Sequence, residues 1–278
     1  MKKIDMHCHT TNRKLGHTGE CSATLDNILE KMKQYDIKKT VVLASYFPHR
    51  SSGITNFRLL HWLNENGNKG RFYFFGSLDF EHYFFQGMNE LNELAESGDL
   101  NGIKIYTSYQ KVDLHSKKFE EVVKLAKKYH LPMMFHTGYS YMSKRLYGRD
   151  SIEGMVRASD LEFIADIGVT VIASHMCKPF FDDAVKTCKR TENIYTDISG
   201  LVNSKYDTED KEQCAEEVRK FVQNVGPDKL LFGTDFPVQT HKDSVYFIES
   251  GMKGFSESDK FKVYYDNARG ILENGREK

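Results

Sequence analysis

The 278-residue sequence has no continuous apolar run near the ~18 residues of a membrane-crossing helix, and Met1-Lys2-Lys3 leads straight into Ile4-Asp5-Met6 without an apolar leader. A cytoplasmic protein with no membrane partner is expected. Neither sign of charge predominates: Lys plus Arg and Asp plus Glu number 39 each and are interspersed, so neither a nucleic-acid footprint nor an acidic tail is implied. The five cysteines (Cys8, Cys21, Cys177, Cys188 and Cys214) are odd in number and unpaired in spacing, which argues against a disulfide framework or a zinc ribbon. Most read as small buried hydrophobes. Also missing is a Gly-x-Gly-x-x-Gly after the first strand-like run, which disfavours an open dinucleotide-binding sheet.

What is present is an alternation. Strand-like runs fall at 3–9, 39–45, 71–78, 101–107, 132–137, 169–175, 193–198 and 229–235. Helical spacing joins them, as in Leu25, Ile28, Leu29, Met32 and Tyr35 after a Ser22 or Thr24 cap, and in Phe119, Val122, Val123, Leu125, Ala126 and Tyr129. Further helices are expected at about 54–66, 87–97, 158–167, 182–190, 210–224 and 260–273. Eight strands alternating with eight helices predict a parallel sheet closed into a (β/α)8 barrel, one domain over 1–278, with its site at the C-terminal strand ends.

Four of those runs carry metal-ligand residue types at their ends. Strand alternation sends His7 and His9 to one face and Cys8 to the other, so two imidazoles can share an ion. His136 follows Met133-Met134-Phe135, His175 follows Val171-Ile172-Ala173-Ser174, and Asp235 lies in Gly233-Thr234-Asp235-Phe236-Pro237. Barrel geometry would gather all five at one mouth. Imidazole nitrogens with one carboxylate suit a divalent ion, zinc first, with manganese, iron and cobalt as alternatives. Asp235 is assigned both ligation and proton transfer from bound water; His175 is either a further ligand or a group that polarises substrate and shuttles a proton.

Lys104 and Tyr106 alternate with Ile103 and Ile105, which turns the lysine and tyrosine into the barrel. After strand 5, Arg145 and Arg149 stand in a tyrosine- and arginine-rich connection where barrel loops build substrate pockets, and either could hold a carboxylate or simply be solvated. Tyr109, Gln110, His17 and Glu20 are weaker candidates. The aromatic group from Phe72 to Phe85 reads first as packing and second as a pocket wall or homodimer contact. His61, His130 and His241 read as structural or solvent-facing.

The motifs His-x-His on strand 1, His-Thr-Gly on strand 5, Ser-His on strand 6 and Gly-Thr-Asp-Phe-Pro on strand 8, with Asn267-Ala268-Arg269-Gly270-Ile271-Leu272, together resemble the amidohydrolase superfamily, in particular its amidohydrolase-2 branch. That resemblance implies a barrel with a mouth-bound divalent metal, and His7, His9, His136 and Asp235 match the mononuclear ligand set. His175 matches a histidine that is an acid/base in decarboxylases and a ligand in binuclear members. Lys104 matches a lysine that is carboxylated in binuclear members; the alternative, an ammonium binding a carboxylate, goes with the single ion per chain expected here. The expected activity is hydrolysis of a small amide, lactone or ester by metal-activated water. Non-oxidative decarboxylation of a small acid is the alternative, and a catalytically inert binding barrel a third reading.

Overall fold

The computed structural model describes residues 1–11, 13–46, 54–68, 70–139, 155–207 and 210–273. Among them are eight strands: β1 (Lys3–Cys8), β2 (Ile37–Leu43), β3 (Phe72–Gly76), β4 (Gly102–Ile105), β5 (Met133–Phe135), β6 (Val171–Ala173), β7 (Ile194–Asp197) and β8 (Leu230–Leu231). They form one sheet in the order β1-β2-β3-β4-β5-β6-β7-β8, and helices alternate with the strands. The amide of Met6 donates to the Phe232 carbonyl at 3.0 Å and Cys8 makes a parallel bridge to Phe236, so the chain beyond β8 pairs back onto β1. This is the strand order of the expected (β/α)8 barrel. No helix among the described residues is long and apolar enough to cross a membrane.

Among the described residues two compact units divide the chain: 1–43, 62–73 and 196–273 form one, and 44–61 and 74–195 the other. In the first, every residue of β1 is buried, as expected for a parallel strand covered on both faces. Helix α1 (Leu25–Gln34) starts where Thr24 Oγ1 accepts the Asn27 amide, and it buries Ile28 and Met32. Helix α2 (Asn56–Asn64) starts in the second unit, which also holds α3 (Phe84–Glu96), α4 (Lys117–Lys128), α5 (Glu162–Asp166) and α6 (Phe181–Arg190). Ser116 caps α4, whose buried face of Phe119, Val122, Val123, Leu125 and Ala126 follows the expected helical spacing. The cysteines are free and buried except Cys21. Phe74, Phe75, Phe80 and Phe84 are buried as the packing reading requires, whereas Phe85 is exposed.

Two elements differ from expectation. Strand 8 spans only Leu230–Leu231, because the Thr234 amide turns to the Asp5 carboxylate and Asp235 takes a left-handed φ of 54°. After α7 (Lys211–Val225) and β8, the chain forms α8 (His241–Gly251), α9 (Glu257–Phe261) and, beyond a π turn over Lys262–Asp266, α10 (Asn267–Glu273). Helix α8 was not expected; Thr240 caps it by accepting the Asp243 amide, and Phe247 and Ile248 are buried.

Candidate metal centre

In the first unit His7, His9 and Asp235 each offer one ligand atom, and the three atoms lie within 4.8 Å of one another. Asp235 Oδ1 is 3.5 Å from His7 Nε2 and 3.1 Å from His9 Nε2. A tetrahedral ion with bonds near 2.0–2.2 Å sets its ligands about 3.4 Å apart, so these spacings fit a single ion. The backbone builds the group: the Asp235 amide donates to the His7 carbonyl at 2.7 Å, and the His9 amide to the Phe236 carbonyl at 2.8 Å.

Behind His7 is a buried polar network that the sequence reading missed. His7 Nδ1 is 3.1 Å from Asp197 Oδ2 and 2.9 Å from Ser199 Oγ. Asp5 ties β1 to the segment after β8, accepting the His7 amide at 3.1 Å, the Thr234 amide at 3.0 Å and the Thr234 hydroxyl at 2.7 Å. Burial pushes the Asp5 carboxyl up to about 7 despite the hydrogen bonds from Thr234 and the His7 amide. A usable signal was present: Asp5-x-His7 and Asp197-x-Ser199 place polar side chains on one face of strand-like runs.

In the second unit His136 and His175 meet, with His136 Nδ1 at 3.1 Å from His175 Nε2 and ring centroids 4.7 Å apart. The Tyr109 and His136 rings pack in a T-shape, with centroids 5.0 Å apart. His175, Met176 and Cys177 all take positive φ, a sharp turn that carries His175 off the end of β6. Gly138 faces that turn with φ 68°, and a Cβ there would lie 2.1 Å from the Lys178 carbonyl oxygen.

Lys104 is fully buried, and its Nζ donates to Ser174 Oγ at 3.3 Å while lying 5.4 Å from the Tyr106 ring centroid. Lysine and tyrosine thus share a side, as alternation implies. The Tyr106 hydroxyl donates to the Ala44 carbonyl at 2.9 Å. Gln110 is held by the Phe80 amide and the Leu78 carbonyl, and Glu20 pairs with Lys31 at 3.1 Å. Arg145 and Arg149 lie outside the described residues.

The family model described as amidohydrolase matches residues 4–273. The chain belongs to the amidohydrolase-2 family. No curated protein matches it. Three solved structures are similar to this amidohydrolase over nearly their whole lengths. An uncharacterised TIM-barrel protein from Bordetella bronchiseptica has TM-score 0.74 at 14% identity, with 99% of each chain covered. A putative 2-pyrone-4,6-dicarboxylic acid hydrolase from Pseudomonas putida has TM-score 0.68 at 15% identity, covering 99% of this chain and 98% of its own. A dihydroxybenzoic acid decarboxylase from Polaromonas, with bound manganese and the inhibitor 2-nitroresorcinol, has TM-score 0.68 at 14% identity, again covering 99% and 98%. At these identities the likeness shows the fold, a (β/α)8 barrel. The similar structures include both a putative hydrolase and a decarboxylase.

Proposed function

We propose that this amidohydrolase is a metal-dependent hydrolase of a small amide, lactone or ester. The observation that supports it most is the spacing of His7 Nε2, His9 Nε2 and Asp235 Oδ1, which suits one ion. His7, His9, Asp235 and His136 are the proposed ligands, the set implied by the family resemblance, with zinc first and manganese next. A divalent ion held there would lower the pKa of a water toward ~7 and polarise a carbonyl oxygen.

The chain's own residues supply the rest. Asp235, part exposed beside His9, accepts the proton of the attacking water at a carboxylate oxygen. His175 stabilises the developing oxyanion or protonates the leaving group. Its hydrogen bond to His136 fixes the direction of its ring.

A second reading is favoured by Lys104. A fully buried ammonium in the same unit as His136 and His175 suits an acidic substrate, and a decarboxylase would use it to hold a carboxylate while Asp235 or His175 protonates carbon.

Elemental analysis after dialysis, paired with assays of lactone, ester and amide hydrolysis and of CO2 release from carboxylated aromatics, tests both. About one ion per chain with hydrolysis supports the first reading. Carbon dioxide release without hydrolysis replaces it with the second. Two ions per chain would assign Lys104 to a carbamate and His175 to a ligand. Absence of binding to added zinc or manganese would overturn the metal centre.

A further inference from the structure

On the metal-centre reading above, from which this step follows, we infer that Asp197 and Ser199 are positioning residues that hold His7 in the one tautomer able to ligate through Nε2. A neutral imidazole offers its Nε2 lone pair only while its proton sits on Nδ1. Asp197 Oδ1 receives the Ser199 amide at 3.1 Å and also the Ser199 hydroxyl. With both Ser199 donors on Oδ1, Oδ2 is left to face the imidazole. Oδ2, 3.1 Å from His7 Nδ1, therefore takes an Nδ1–H bond. With the Ser199 proton directed to Asp197, the oxygen of Ser199 faces Nδ1 at 2.9 Å as a second acceptor.

The surroundings fit this role. His7 is 1% exposed and Asp197 and Ser199 are 0% exposed, so bulk water does not compete for Nδ1. Gly233 leaves room for the arrangement: a Cβ there would lie 3.2 Å from the Cβ atoms of both His7 and Ser199 and 3.6 Å from that of Asp197. Its lack of a side chain lets the ends of β1 and β7 approach closely enough for the bond. Opposite, Nε2 is directed at Asp235, 3.5 Å away. The orientation that serves the carboxylate on one side thus presents the lone pair to the ligand position on the other.

The test separates tautomer from metal. In metal-free, 15N-histidine-labelled protein, long-range proton–nitrogen NMR should show the His7 proton on Nδ1. Asp197→Asn, whose amide can donate to Nδ1, should move it to Nε2 and weaken zinc binding, measured by competition with a chromophoric chelator, about 10–100-fold. Ser199→Ala should keep the tautomer and weaken binding less than about tenfold. A proton on Nε2 in the wild type, or zinc binding by Asp197→Asn within about threefold of wild type, would overturn the assignment. If Asp197→Asn does not fold, the wild-type spectrum and Ser199→Ala decide. A wild type that binds no zinc refutes the metal-centre reading, and the metal-free spectrum then still decides the tautomer.

Discussion

Asp235 Oδ1 lies 3.1 Å from His9 Nε2, although the two side chains come from opposite ends of the chain. The contact is set by the backbone: bonds from the Asp235 amide to the His7 carbonyl and from the His9 amide to the Phe236 carbonyl fix both Cα positions. The side chains can therefore be changed without moving their supports. His9→Ala should lose bound metal and activity together, with a melting temperature of the metal-free protein near that of the wild type. Asp235→Asn should lower turnover about 10²–10⁴-fold, because an amide cannot take the proton from water. Full metal retained in His9→Ala would remove His9 from the site.

Gly138 is a backbone requirement beside the second pair of histidines. At φ 68° with the Lys178 carbonyl oxygen 2.1 Å from a would-be Cβ, an alanine has both a strained conformation and a clash with main chain. The neighbouring Tyr139 amide donates to that same Lys178 carbonyl at 2.8 Å, so the turn after β6 would be displaced with it. Gly138→Ala should cost at least about 2 kcal/mol in urea denaturation and lower activity by displacing His175. An unchanged midpoint would show that the turn yields freely.

The architecture was readable because its signals are local. Val41-Val42-Leu43-Ala44 and Ile103-Lys104-Ile105 carry strand character in themselves, and Thr24 and Ser116 announce helix starts by residue type. His7 and His9 stood out because alternation pairs them. Helix α8 escaped because its buried face includes His241, Asp243, Ser244 and Gly251, while Val245, Tyr246, Phe247 and Ile248 form one apolar block without helical period. Asp197 and Ser199 escaped for another reason: their partner His7 is distant in sequence, and no local pattern encodes a contact between strand ends. The Tyr106 hydroxyl likewise meets the Ala44 carbonyl through a side-chain direction that strand alternation does not specify.

Lys104 separates stability from function. Lys104 is fully buried and its Nζ donates to Ser174 Oγ, so a methionine there removes a buried hydrogen bond together with the desolvation cost of the amine. Lys104→Met should therefore melt near the wild-type temperature, the two terms opposing each other. Its kcat/KM should fall at least about tenfold if the cation holds a substrate carboxylate, with the loss appearing mainly in KM. Wild-type turnover and KM in Lys104→Met would remove the lysine from the site and leave it a packing residue.

His241 gives a pH-dependent expectation. Its ring stacks on Tyr35 with centroids 5.4 Å apart and packs on Phe236 at 5.0 Å, and among the described residues its Nδ1 has no hydrogen-bond partner. Burial, with Lys31 adding repulsion, lowers its pKa from 6.5 to about 3. The Asp5 carboxylate 3.8 Å from Nε2 does not reverse this, because burial pushes Asp5 up to about 7 and keeps it protonated across most of the same range. As pH falls below 6.5 the unfolded chain takes up a proton at His241 that the folded chain refuses until about 3. The stability from this group is thus full above 6.5 and declines through that window, by at most about 1.4 kcal/mol per pH unit. His241→Phe, which keeps the aromatic contacts and removes the orphan nitrogen, should match or exceed wild-type stability at pH 7. Its advantage should widen at pH 6 and again at pH 5 in urea denaturation, where ligand protonation common to both proteins cancels. A gap that stays constant or reverses on acidification would mean that His241 is charged in the fold and paired with Asp5.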